Sequence, residues 1–135
     1  MGMKPTSVKM LIVDDDLLIG AMLRDFFKQA GHHFEFFLAI DGEEAMKLCL
    51  EVHPDIIITD VMLPKMTGIE LITQLRKLPE FAVTPIVAIT AGNQAMQDAV
   101  HKAGAHMVLE KPIRRIDIIH RVDALLDATP FIPRL

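Results

Sequence analysis

Apolar positions fall into two alternating patterns along this chain. Short β-branched or aliphatic runs occupy 9–13, 34–39, 56–60, 85–90 and 107–109, and between them apolar residues recur at three- and four-residue spacing. The runs read as strands buried on both faces, and the spaced segments as amphipathic helices. Leu18, Ile19, Met22, Leu23, Phe26, Phe27 and Ala30 give the first helix a wide apolar face, with Asp16 at its N-cap and Gly31 as a stop. Asp41 followed by Glu44 has capping-box spacing and opens a second helix through Val52. Thr67 with Glu70 does the same for a third, carrying Ile69, Leu71, Ile72, Leu75 and Leu78. Asn93 caps a fourth that ends at Gly104, with Ala95, Met96, Ala99, Val100 and Ala103 inward. The last runs over 114–128 with Ile116, Ile119, Val122, Leu125 and Leu126 on its buried side.

Five β–α units in series predict one α/β domain. The fold expected is a doubly wound, five-stranded parallel sheet of order 2-1-3-4-5, a flavodoxin-like three-layer sandwich with five helices. The domain spans 9–128, preceded by a flexible start over 1–8 and followed by a tail or linker start, TPFIPRL, over 129–135. At 135 residues the chain has room for one such core.

In that topology strands one and three are neighbours, and ligands bind outside their carboxyl ends. Asp14 and Asp15 end the first strand and Asp60 ends the third, so three carboxylates from two strands converge. Like charges at close range are costly without a cation, and Mg²⁺ suits a few hard oxygen donors. Asp16 is assigned to the helix cap instead. Thr90 and Lys111, at the ends of strands four and five, add a hydroxyl and an ammonium to the same crevice. Metal on one side with Lys and Thr on the other would neutralise a transferring phosphoryl group, with the Asp60 carboxylate as nucleophile.

The motifs IVDDD (12–16), DVMLPKMTG (60–68), TA (90–91) and KP (111–112), in this order and on these strand ends, resemble the receiver domain of two-component response regulators. The resemblance covers nearly the whole chain. It implies that Asp60 accepts a phosphoryl group from a phosphohistidine of a sensor histidine kinase or a histidine phosphotransfer protein. It implies direct Mg²⁺ binding by Asp15, binding by Asp14 largely through water, and a further ligand in the Met62 backbone carbonyl. Lys111 would pair with the phosphoryl group, its bond to Pro112 would be cis, and Thr90 would move toward the phosphoryl oxygen. The helix 4, strand 5 and helix 5 surface would then switch, engaging a downstream protein or a fused effector domain, or forming a homodimer on phosphorylation. Val108 stands three residues before Lys111 where receivers usually carry an aromatic, which leaves a degenerate receiver, a phosphorylation-independent interaction domain, as the alternative.

Composition narrows the remaining classes. A net charge of −4 gives no basic footprint for direct nucleic-acid binding. The chain has no uninterrupted apolar stretch of membrane-spanning length and no secretion signal, and its single Cys49 fits a reducing compartment, so a cytoplasmic protein is expected. Cys49 shares a helical face with Ala45, Leu48 and Val52, the pattern of a packed thiol. The six histidines lack ligand spacing and read as solvated or partly packed. Arg114, Arg115 and Arg121 make one face of the last helix basic. No glycine-rich phosphate loop follows strand one, against a nucleotide or flavin site, and the consecutive acids there disfavour an Asp-nucleophile phosphatase.

Overall fold

A computed structural model describes residues 7–30 and 33–128. The expected Gly31 stop, most of the flexible start and the 129–135 tail lie outside the described residues. Five strands, β1 (Val8–Val13), β2 (Phe34–Ala39), β3 (Ile56–Asp60), β4 (Ile86–Thr90) and β5 (Met107–Glu110), form one parallel sheet of order β2-β1-β3-β4-β5. The helices are α1 (Leu17–Gln29), α2 (Gly42–Val52), α3 (Gly68–Arg76), α4 (Gln94–Ala103) and α5 (Arg115–Asp127), with one 3-10 turn at Pro79–Phe81. β1 starts at Val8, inside the segment expected to be a flexible start, because Val8 N–H donates to the His33 carbonyl beside β2.

The two-residue period of a strand divides the core into two layers. Leu11, Val13, Ile57 and Ala88 face one side and pack with Ala45 and Cys49 of α2, Leu71, Ile72 and Leu75 of α3 and Val100 of α4. Met10, Ile12, Ile58, Val87 and Ile89 face the other and pack with Leu23 and Phe27 of α1 and Ile118, Val122 and Leu126 of α5. Each fully buried aliphatic side chain contributes about 1.5–3 kcal/mol relative to exposure. Burial also pushes the Cys49 thiol up to about 12, so it is a packed and unreactive group. Among the described residues no helix is long and apolar enough to cross a membrane.

Helix faces depart from the sequence pattern in three places. On α5 it is Ile118 that is buried, while Ile116 is 62% exposed. Positions two apart on a helix differ by about 200°, so the contact that buries Ile118 turns Ile116 outward. Leu18, in the first turn of α1, is 81% exposed beyond the end of the sheet. On α4, Ala95 and Ala99 are exposed and Val100 is the buried residue, so this helix is lightly seated. The α2 capping box is also modified: Asp41 accepts from Glu44 N–H at 2.8 Å, but Glu44 reaches back to the Ile40 N–H instead of the cap residue's.

The end of the domain opposite the strand carboxyl termini is closed by a polar latch that no sequence pattern announced. Arg76, at the end of α3, donates Nε and Nη2 to the Gly104 carbonyl at 3.0 and 2.7 Å and Nη1 to the Phe81 carbonyl at 2.7 Å. Arg76 Nη2 also lies 3.2 Å from His106 Nδ1, which accepts the Ile86 N–H at 3.2 Å. With two donors aimed at it, Nδ1 is held unprotonated. Burial, then the Arg76 charge, lower the His106 pKa below its ordinary value. The unfolded chain therefore takes up a proton at higher pH than the folded one. Stability contributed by this group is complete above about pH 6.5 and declines as pH falls below it toward the folded-state value. Wild type is expected to lose more stability than His106→Ala between pH 7 and 5, read as the shift in urea midpoint. Equal shifts would remove His106 as the cause.

Candidate phosphoacceptor site

The register of the sheet assembles the site. β1 and β3 pair with Val13 opposite Thr59, so the residues that follow, Asp14 and Asp60, stand side by side at the carboxyl ends of the two strands. The Asp14 N–H still bonds to the Ala39 carbonyl at 3.0 Å, and its side chain is buried, accepting the Asp16 N–H at 2.8 Å. Asp16 accepts the Leu18 N–H at 2.9 Å and caps α1, as its position implied. Asp15 is exposed. Asp60 is buried at the last position of β3, where Oδ1 accepts the Met62 N–H at 3.3 Å.

Asp14, Asp15 and Asp60 each present a carboxylate oxygen, all within 4.8 Å of one another. Lys111 answers one of these charges, its Nζ donating to Asp60 Oδ2 at 3.0 Å. Burial raises the Asp14 pKa, and the charges of Asp60 and Asp15 add to it against the Asp16 N–H and Lys111. Burial would lower the Lys111 pKa, yet the hydrogen bond and charge of Asp60, with Asp14 and Asp15, hold it above its ordinary value. Three carboxylates against one ammonium leave a two-charge deficit. This hard-oxygen donor set, clustered without enough positive charge, fits a small divalent cation.

Thr90, nearly inaccessible at the end of β4, lies one residue beyond Ile89, the cross-strand partner of Asp60. Its Oγ1 accepts the Gly92 N–H at 2.8 Å, and its carbonyl accepts the Lys111 N–H at 3.0 Å. The Lys111–Pro112 peptide is cis. Met62 places its N–H on Asp60 and its side chain outside, 65% exposed. The residues singled out on four strand ends thus meet at one end of the sheet.

Gly68 permits this packing, and periodicity carries no sign of it. A Cβ on Gly68 would lie 2.5 Å from the Asp60 carbonyl oxygen and 2.8 Å from Val61 Cα. The signal was its place directly after the Thr67 cap, eight residues beyond Asp60. Of the three arginines expected to make α5 basic, Arg121 pairs with Asp117 at 3.3 Å. Arg114 and Arg115 line an open cleft of about 690 Å³ with Pro112, Ile116, Asp117 and His120.

A family model described as response regulator receiver domain matches residues 10–123. The DNA-binding dual master transcriptional regulator RpaA of Synechocystis is 34% identical over 128 residues, covering 93% of this chain and 52% of that protein. The chain therefore spans about half the length of this relative. The chemotaxis protein CheY4 of Vibrio cholerae has a structure similar to this one, with a TM-score of 0.81 and 29% identity over 88% of this chain and 98% of that one. The receiver domain of sensor histidine kinase PA1611 from Pseudomonas aeruginosa, solved with a magnesium ion coordinated in its active site cleft, shares the fold. Its TM-score is 0.79 at 22% identity, over 88% of this chain and 97% of that chain.

Proposed function

The chain belongs to the response regulator receiver family, phosphoacceptor signalling modules rather than turnover enzymes, and on that premise we propose that Asp60 takes a phosphoryl group from a phosphohistidine donor. The observation that carries this reading is the cluster of Asp14, Asp15 and Asp60 within 4.8 Å, with Lys111 bonded to the Asp60 carboxylate. A carboxylate oxygen of Asp60 attacks phosphorus, an O–P bond forms as the N–P bond breaks, and the imidazole of the donor leaves with its electron pair. Asp14, Asp15 and Asp60, with the Met62 carbonyl, would hold Mg²⁺. When bound, the ion offsets charge on the phosphoryl oxygens. Lys111 holds its ammonium beside the other oxygens, where a developing charge is worth most.

The two-state readout runs through Thr90. Its oxygen, which accepts the Gly92 N–H, gives up that bond as the O–H turns to donate to a phosphoryl oxygen, and this draws on the loop that enters α4. The light seating of α4, with Val100 buried and Ala95 and Ala99 exposed, supports a shift of this helix against β5 and α5. The phosphodonor is a sensor histidine kinase or histidine phosphotransfer protein, and the output partner a downstream protein, a fused effector domain or a second copy of the chain.

The test is incubation with Mg²⁺ and a small-molecule acyl phosphate, followed by intact mass. A Mg²⁺-dependent gain of one phosphoryl group is expected. No gain, with a cognate phosphohistidine donor also failing, would transfer the assignment to a phosphorylation-independent interaction domain. Mg²⁺ alone has a predicted effect as well. At tenfold its dissociation constant it stabilises the fold by about 1.4 kcal/mol at neutral pH, a rise in melting temperature of about 3–6 °C. A chelator reverses this rise. Unchanged melting on addition of Mg²⁺ would contradict cation binding.

A further inference from the structure

The segment joining β3 to α3 touches the phosphoacceptor, since the Met62 N–H donates to Asp60 Oδ1. It is pinned at both ends, by the Gly68 N–H on the Val61 carbonyl at 2.8 Å and by the Thr67–Glu70 capping box. Its middle, Pro64 to Met66, is held by a different element, the first turn of α2. A Cβ on Gly42 would lie 2.4 Å from the Met66 carbonyl oxygen and 2.6 Å from Met66 Cβ, so the loop occupies the space a side chain would need. Lys65 adopts φ 64°, the left-handed region that residues with a Cβ enter at a cost. In that conformation its Nζ stands 3.6 Å from Asp41 Oδ2 and 3.9 Å from Glu43 Oε1. The Met66 N–H closes onto the Pro64 carbonyl at 2.7 Å, tightening the turn between the two contacts.

We infer that the first turn of α2 is the outer anchor of the phosphoacceptor loop, and that Gly42 and Lys65 are positioning residues for the chemistry at Asp60. The inference rests on the phosphoacceptor reading of that residue. Pinned ends alone leave several soft dihedrals between Val61 and Thr67, and the Met62 peptide must keep one orientation to stay on the Asp60 carboxylate. Close packing of Met66 on Gly42 supplies the main restraint. The Lys65 ammonium is exposed, so its pairs with the buried Asp41 and the exposed Glu43 are individually weak and set the register of the turn.

Wild type, Gly42→Ala, Lys65→Glu and the exchanged pair Lys65→Glu/Glu43→Lys would be compared by three readouts: the Met62 amide resonance, Mg²⁺ affinity by calorimetry, and acyl phosphate labelling rate. Leu126→Ala, in the opposite core layer, controls for lost stability. Gly42→Ala is expected to displace the Met62 resonance and weaken Mg²⁺ binding about tenfold, the effect of moving an outer support of a metal site. Lys65→Glu is expected to weaken it about threefold, and the exchange, which restores the Glu43 pair but leaves Asp41 facing a carboxylate, to recover part of that loss. Leu126→Ala lowers the melting temperature and leaves the Met62 resonance and Mg²⁺ affinity unchanged. If Gly42→Ala does not fold, Lys65→Glu and the exchange decide the matter. A Met62 resonance and Mg²⁺ affinity equal to wild type in Gly42→Ala and Lys65→Glu would overturn the anchor. A wild-type chain that binds Mg²⁺ but takes up no phosphoryl group would overturn the phosphoacceptor reading instead.

Discussion

Asp60→Asn is expected to take up no phosphoryl group from an acyl phosphate, with a labelling rate lower by roughly 10⁴-fold or more. The substitution keeps the shape of the side chain and removes the charged oxygen proposed to attack phosphorus. A neutral amide is a poor nucleophile toward an electron-rich phosphoryl group. It also takes away one carboxylate of the cation cluster and the charge that Lys111 faces at 3.0 Å. The fold is expected to survive, because Asp60 is one of the charges that push the Asp14 pKa upward, and removing it relieves that repulsion. Melting at or above the wild-type temperature, together with absent labelling, separates lost chemistry from lost structure. Labelling of the variant at the wild-type rate would place the acceptor elsewhere.

Gly68→Ala is expected to cost about 2–4 kcal/mol, in the upper range of overpacking substitutions, and to lower the melting temperature by roughly 10 °C. The atoms in the way are the Asp60 carbonyl oxygen and Val61 Cα, both backbone and both at the end of a central strand. Neither can rotate aside as a flexible side chain would. Relief must come from moving α3 off the sheet or from displacing Asp60, so phosphoryl uptake falls as well. Gly20→Ala in α1 is the contrast. A Cβ there meets Leu38 Cδ2 at an ordinary 3.8 Å, and the helix interior favours Ala over Gly, so this variant is expected to be at least as stable as wild type. Thermal melts of the two variants side by side test the argument. A Gly68→Ala melt within 2 °C or so of wild type would show that the backbone at β3 yields more easily than its central position implies.

Most of the fold was legible before any coordinates. Buried strands announced themselves as β-branched runs, and Asp16, Asp41, Thr67 and Asn93 each cap the helix they were assigned. The candidate site was legible because its polar residues stand at the ends of apolar runs, which a parallel sheet brings together at one end. The apolar face of α5 was less legible. Ile116, Ile118 and Ile119 are all apolar, and periodicity put Ile116 on the buried side where the structure buries Ile118. The Arg76–His106 latch was illegible, because its partners are 30 residues apart and their other bonds run to backbone carbonyls and amides.

By itself the sequence determined the element types, the parallel sheet and the convergence of Asp14, Asp15, Asp60, Thr90 and Lys111. Those follow from local periodicity, capping chemistry and the handedness of β–α–β crossovers, which are properties of short segments. Tertiary structure decided which turn of each helix is buried, where Gly42 and Gly68 admit a neighbouring backbone, and how Lys65 ties the β3–α3 loop to α2. Those outcomes depend on distances between segments far apart in the chain, set when the two layers close on the sheet, and no local pattern encodes them.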